Sequence, residues 1–95
     1  MSSRIEELVK QARFLVNELS EEAFRSHGWS AKGHIEHFLR TVEANPNPNS
    51  LYRAAHLLNY FIVDEFDWSK EYSNKASNLC EQAERIGKKI EEEQS

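Results

Sequence analysis

The sequence predicts an all-α fold, a compact bundle of about four helices with one short additional helical turn, formed by residues 1–95 as a single helical domain. Apolar residues recur at spacings of three and four along several long segments, which is typical of helices with one face turned to a core. The segment Asn45–Ser50, NPNPNS, is the clearest interruption, because its prolines lack backbone donors and bias the preceding asparagines away from helix. A chain of 95 residues is long enough to bury one core.

The first predicted helix begins at Ser2 or Ser3 and ends near Leu19. Ser3 and Glu6 have the spacing of a capping box, which satisfies two backbone donors at a helix start. Phe14 lies at the margin of the apolar face, where we expect it to help fill the core; the alternative is that it is a docking residue. The apolar face consists of Ile5, Leu8, Val9, Ala12, Leu15, Val16 and Leu19.

A short helix is expected over residues 21–26, since a serine followed by two acids favours a helix start. Gly28 follows its end, and Trp29 lies in the HGWS turn, where it either covers the core or contacts a partner. Ser30 then caps a second long helix over residues 31–44. Its predicted inner face consists of Ala31, Ile35, Phe38, Leu39 and Val42.

The most apolar stretch is Leu51–Phe66, in which eleven of sixteen residues are apolar or aromatic. Its broad face toward the core is predicted to consist of Leu51, Ala54, Ala55, Leu58, Phe61, Ile62 and Phe66. The opposite side carries a second stripe, Tyr52, His56, Tyr60 and Val63, at spacings of four, four and three. Tyrosine is enriched where protein surfaces meet, so this stripe either contacts another protein or a second copy of the chain, or is covered by another helix of the same chain.

A near-heptad seam predicts a long final helix after Phe66. Asp67 or Ser69 can cap it, yet no Gly or Pro forces a break there, so the sequence leaves a corner at residues 67–69 undecided. Gly87 weakens the helix and the acids 91–93 oppose its dipole, so we expect the last turns to fray. The seam consists of Trp68, Tyr72, Ala76, Leu79, Ala83, Ile86 and Ile90.

The composition argues against several classes of function. A formal net charge of −4 argues against nucleic acid as a partner, since binding DNA or RNA needs a positive surface. A helix-turn-helix reading of residues 31–44 is disfavoured because only Lys32 and Arg40 are basic there. No apolar run approaches the ~20 residues of a membrane-spanning helix, and the amino terminus lacks the apolar core of a secretory signal. With one cysteine and no disulfide framework, a cytoplasmic location is expected.

Few residues carry candidate chemistry. His34 and His37 are three apart on a helix and could present two imidazoles to one metal ion, but a third ligand such as His56 would have to be brought in by the fold. The alternative is that His34 and His37 lie at the solvent edge of the apolar face. Cys80 lies among apolar residues and is expected to be a buried, unreactive thiol.

The sequence is therefore interpreted as a small, acidic, non-enzymatic binding or regulatory protein that acts through protein-protein contacts of a helical surface. Its partner is expected to be another protein or a second copy of the chain, and no catalytic residue, cofactor or metal ligand is assigned. The alternative hypothesis is a metal- or histidine-dependent enzyme or sensor that uses the three histidines named above. The candidate partner-binding residues are Tyr52, His56, Tyr60, Val63 and Trp29.

Overall fold

A computed structural model describes residues 3–20, 22–23, 28, 30–65 and 69–94, with the backbone alone at positions 3, 64 and 65. Within these residues the protein is an all-α bundle of four helices, which confirms the predicted fold class. A short π-helical segment, Phe61–Glu65, continues directly from the third helix. The helices are α1 (Ser3–Glu18), α2 (Ala31–Ala44), α3 (Pro48–Tyr60) and α4 (Lys70–Gln94).

The predicted apolar faces form the core. Every described residue assigned to them is buried or half-buried, from Ile5 on α1 to Ile90 on α4. Phe66 and Trp68 lie outside the described residues. Phe14 is a correction, because its side chain is 67% exposed rather than part of the core.

Side-chain caps begin three of the helices. The Ser30 hydroxyl accepts a hydrogen bond from the Gly33 N–H at 3.0 Å, and the Ser69 hydroxyl accepts one from the Tyr72 N–H at 3.3 Å, as expected for both serines. The Asn47 side chain accepts from the Ser50 N–H at 3.0 Å.

The third helix starts earlier than predicted. It begins at Pro48 rather than Leu51, because a proline in the first helical position needs no hydrogen-bond partner for its nitrogen and already has a helical φ. The NPNPN segment therefore both ends α2 and begins α3.

Two connections between helices are only partly described. Most of the short helix expected over residues 21–26 lies outside the described residues; within it, the Ala23 N–H donates to the Ser20 carbonyl at 3.2 Å and closes a turn. Helices α3 and α4 run antiparallel, because Tyr52 near the start of α3 lies against Gly87 near the end of α4, so α4 is a separate helix that returns along α3.

The carboxyl end of α4 is joined to the amino end of α1. Helix α4 continues to Gln94, and the Glu93 carboxylate pairs with the Arg4 guanidinium at 2.9 Å. The fraying expected for the last turns stays a prediction. Among the described residues, no helix is both long and apolar enough to cross a membrane.

Candidate functional site

The predicted stripe on α3 divides into a packed part and an exposed part. Tyr52 is half-buried, and a Cβ added to Gly87 would lie 2.7 Å from its Cε1 atom. Partial burial raises the pKa of the Tyr52 hydroxyl, and the nearby Glu91 carboxylate raises it further. Tyr52 is thus largely occupied in contacts with α4.

The remainder of the stripe is exposed at the carboxyl end of α3. Tyr60 is 49% exposed, Val63 is 71% exposed, and His56 is also exposed. Leu57, which the sequence analysis did not single out, is 37% exposed and lies between the core face and the stripe. We call His56, Leu57, Tyr60 and Val63 the α3 patch.

The spacing of three from Leu57 to Tyr60 to Val63 is a signal that could have found Leu57. Residues three apart lie on neighbouring turns of one helical face. The spacing of four that begins at Tyr52 does not include Leu57.

The end of this helix changes from α-helical to π-helical winding. The Phe61 N–H donates to the carbonyl oxygens of both Leu57 and Leu58, where the α-helical pattern ends. Within the π-helical segment Ile62 is buried and Val63 is exposed, so both lie on the sides of the helix on which the sequence places them. Single π-helical turns occur frequently at functional sites, and here one begins within the α3 patch.

Aromatic contacts connect the α3 patch to the core. The Tyr60 and Phe61 rings meet edge to face, with centroids 5.6 Å apart. Phe61 in turn stacks on the imidazole of His34 from α2, with centroids 3.5 Å apart and an interplanar angle of 28°. Tyr60 is therefore an exposed aromatic side chain whose ring is supported from within the protein.

His34 is a correction to the sequence analysis, which placed it at the solvent edge. Its side chain is buried, and burial lowers the pKa of the imidazole to about 4, with a smaller contribution from the charge of His37. The position of His34 next to Ile35 and four residues before Phe38 places it on the inner face of α2. The prediction was wrong because a histidine side chain is polar and was therefore expected at the solvent edge. His37 is exposed, as expected.

The histidines do not form a metal site within the described part of the chain. No group of three or more His, Cys, Asp or Glu side chains there is placed to hold a metal ion. A small cavity between α2 and α3 is lined by His34 and His37, but not by His56.

Cys80 and Trp29 are the remaining candidate residues. Cys80 is buried as predicted, and burial raises the pKa of its thiol to about 12, so it stays protonated at neutral pH. Trp29, a predicted partner-binding residue, lies outside the described residues.

Known proteins offer no guide to the role of the α3 patch. Comparison of the chain with protein-family models, with curated proteins and with solved structures finds no match. The functional proposal therefore depends on the geometry of this molecule alone.

Proposed function

We propose that this is a small, non-enzymatic binding or regulatory protein that acts through contact between the α3 patch and another protein chain. The observation that carries the proposal is the exposure of Leu57, Tyr60 and Val63 on successive turns of one helical face. Single exposed apolar residues are ordinary on a protein surface, whereas an adjacent group of them is typical of contact surfaces.

The support beneath Tyr60 favours binding. A partner that covers a ring already held in place loses little conformational freedom on association, so more of the contact energy remains as affinity. Aromatic side chains at the centre of a contact frequently dominate its energy. The edge contact with Phe61 therefore makes Tyr60 the expected anchor of the α3 patch.

The surroundings of the α3 patch resemble the rim of a contact surface. Arg53 and Asn59 are exposed beside it, and His56 adds a third polar side chain within it. A contact with an apolar centre and a polar rim is typical of specific protein interfaces.

The proposal is tested with a Tyr60→Ala/Val63→Ala double variant and with Phe14→Ala as the matched control, since Phe14 is an exposed aromatic residue outside the α3 patch. Light scattering across a concentration series measures the molecular mass of each protein. If the wild type forms a reversible dimer, we expect the double variant to be monomeric and the control to dimerise as the wild type does.

If the wild type is monomeric, the same three proteins are used to capture partners by cross-linking. We then expect a partner that the wild type and Phe14→Ala both retain and that the double variant loses. Equal behaviour of the double variant and the wild type in both measurements, with the fold intact by circular dichroism, would show the proposal to be wrong.

The alternative, a metal- or histidine-dependent enzyme or sensor, is not adopted. It requires His34, His37 and His56 to act together, and no specific feature of the described residues favours it. Protein-protein contact requires only the exposed surface described above.

A further inference from the structure

A second surface with binding character lies on the opposite side of α4, where it faces α1. The two helices run antiparallel, and long polar side chains bridge the seam between them at three levels. The bridges join Arg4 to Glu93 at 2.9 Å, Gln82 to Gln11 at 2.7 Å, and Lys75 to Glu18 at 3.0 Å.

Between the first two bridges the seam widens into a cavity of about 420 Å³ that is broadly open to solvent. This volume lies within the range of ~300–1,000 Å³ typical of sites for small organic ligands. We call this cavity the α1–α4 cavity. It is lined by Arg4, Glu7, Gln82, Arg85, Ile86 and Lys89.

The lining is positively charged although the chain as a whole carries a net charge of −4. Three of the lining side chains are cationic and one, Glu7, is a carboxylate. Arg4 is already paired with Glu93. Arg85 and Lys89 have no ion-pair partner among the described residues, so these two cations outnumber Glu7, the single carboxylate of the lining.

The α1–α4 cavity also offers apolar surface. Ile86 is 8% exposed and lies between the two cations in the sequence of α4. The aliphatic stems of arginine and lysine side chains add further apolar area while their charged ends reach solvent. Charge and apolar surface in one cavity favour a ligand that combines an anionic group with an apolar body.

We propose that the α1–α4 cavity binds a small organic anion with an apolar body, such as a medium-chain carboxylate. Arg85 donates hydrogen bonds to the anionic group in the paired geometry that a guanidinium favours, and Lys89 contacts the same group as a point charge. Ile86 and the side-chain stems contact the apolar body. This site is separate from the α3 patch and does not depend on the function proposed for that surface.

The test is a titration of the ¹⁵N-labelled protein with sodium octanoate, followed by NMR. We expect saturable shifts of the backbone amides of residues that line the cavity. Arg85→Gln and Lys89→Gln should each weaken the affinity about fivefold, the scale of a partly exposed ion pair. Lys88→Gln is the matched control, because Lys88 is an exposed neighbour on α4 outside the cavity lining, and it should leave the affinity within twofold of the wild type.

Two further probes separate the charge from the apolar body. Octylammonium, with the same chain and the opposite charge, should bind at least tenfold more weakly than octanoate. Inorganic phosphate, which has charge but no apolar body, should also bind at least tenfold more weakly.

Several results would overturn the proposal. These are the absence of saturable shifts at the cavity, an effect of Lys88→Gln as large as that of Arg85→Gln, or binding of either probe as tight as that of octanoate. The three substitutions are at exposed positions, and equal midpoints of urea unfolding would show that the fold is retained.

Discussion

Helix α4 contacts α3 and α1 in two different ways. Against α3 it packs more extensively than any other pair of helices in the described part of the chain, and the Tyr52 ring lies directly on the backbone at Gly87. Against α1 it is joined by polar side chains that span the seam and leave the α1–α4 cavity between them. The same helix thus contributes a close contact on one side and an open seam on the other.

Side-chain size explains the difference. The buried face of α4 contains small residues, Ala76, Cys80, Ala83 and Gly87, which let a neighbouring helix approach closely. The residues that meet across the seam, such as Gln11 and Gln82, are long and polar and hold the helices apart. The closely packed side of α4 therefore supports the fold, whereas the open side has room for a ligand.

The largest expected effect concerns a contact outside both sides of α4, where His34 of α2 stacks on Phe61 directly after α3. Its folded-state pKa of about 4 is below the ordinary value of 6.5, so folding favours the neutral imidazole. This contribution is fully present above pH 6.5 and is lost as the pH falls from 6.5 toward 4. We expect a loss of about 2 kcal/mol in the free energy of unfolding, allowing for some access of solvent to the charged ring.

Urea unfolding at pH 7.0, 5.5 and 4.5 tests this prediction, with His34→Leu as the reference. Both proteins share the titration of their carboxylates, so the difference between their pH profiles isolates His34. Parallel profiles for the two proteins would contradict the prediction.

An intermediate effect is expected from adding one methyl group to the packed side. In an open helix, Gly→Ala stabilises by about 1 kcal/mol, but the new Cβ at position 87 would lie 2.7 Å from Tyr52 Cε1. Moving the Tyr52 ring away from the new methyl group should cost more free energy than the helix gains. Gly87→Ala should therefore lower the free energy of unfolding by about 1 kcal/mol.

The control is the same substitution in a Tyr52→Ala background, measured by urea unfolding. With the ring absent, Gly87→Ala should become stabilising. A Gly87→Ala protein more stable than the wild type would show that α3 and α4 are not closely packed at this position.

The smallest effect is expected on the open side. Gln82→Ala removes the hydrogen bond to Gln11 across the seam and should lower the free energy of unfolding by only about 0.5 kcal/mol. Removing a whole amide side chain from the seam should therefore cost less than adding one methyl group against Tyr52. A larger loss for Gln82→Ala than for Gly87→Ala, measured in the same urea series, would reverse the comparison.

Most of the fold could be predicted from the sequence because helical periodicity is a local property. The apolar residues of the inner face of α2, from Ala31 to Val42, were predicted correctly, as was the cap at Ser30, and Ser69 was one of the two caps predicted for α4. Each of these depends on residues within one or two turns of the chain.

The errors concern residues whose environment comes from another helix. Phe14 has an apolar side chain but meets the open seam, where it lies beside Lys75 and Leu79 of α4 and remains exposed. His34 has a polar side chain but is covered by Phe61. In both cases the polarity of the side chain gave the wrong prediction of its burial, because burial also depends on how closely the facing helix approaches.

The candidate site was predicted only in part for the same reason. The sequence placed Tyr52, Tyr60 and Val63 on one stripe, and all three lie on the helix that it predicted. Only the packing of α4 separates them, since it partly covers Tyr52 and leaves the other two exposed. That Tyr60, Val63 and His56 contact a partner stays a prediction, which the measurement of molecular mass by light scattering tests.

Local periodicity and hydrogen bonding in the sequence were enough to predict a bundle of amphipathic helices, most of the residues that face its core and the cap at the start of α2. The packing of the helices against one another determined that one side of α4 is closely packed while the other opens into a cationic cavity, and that Leu57, Tyr60 and Val63 are exposed at the end of α3 and just after it. Those features depend on distances between helices, which are set by the combined size of side chains that are far apart in the chain.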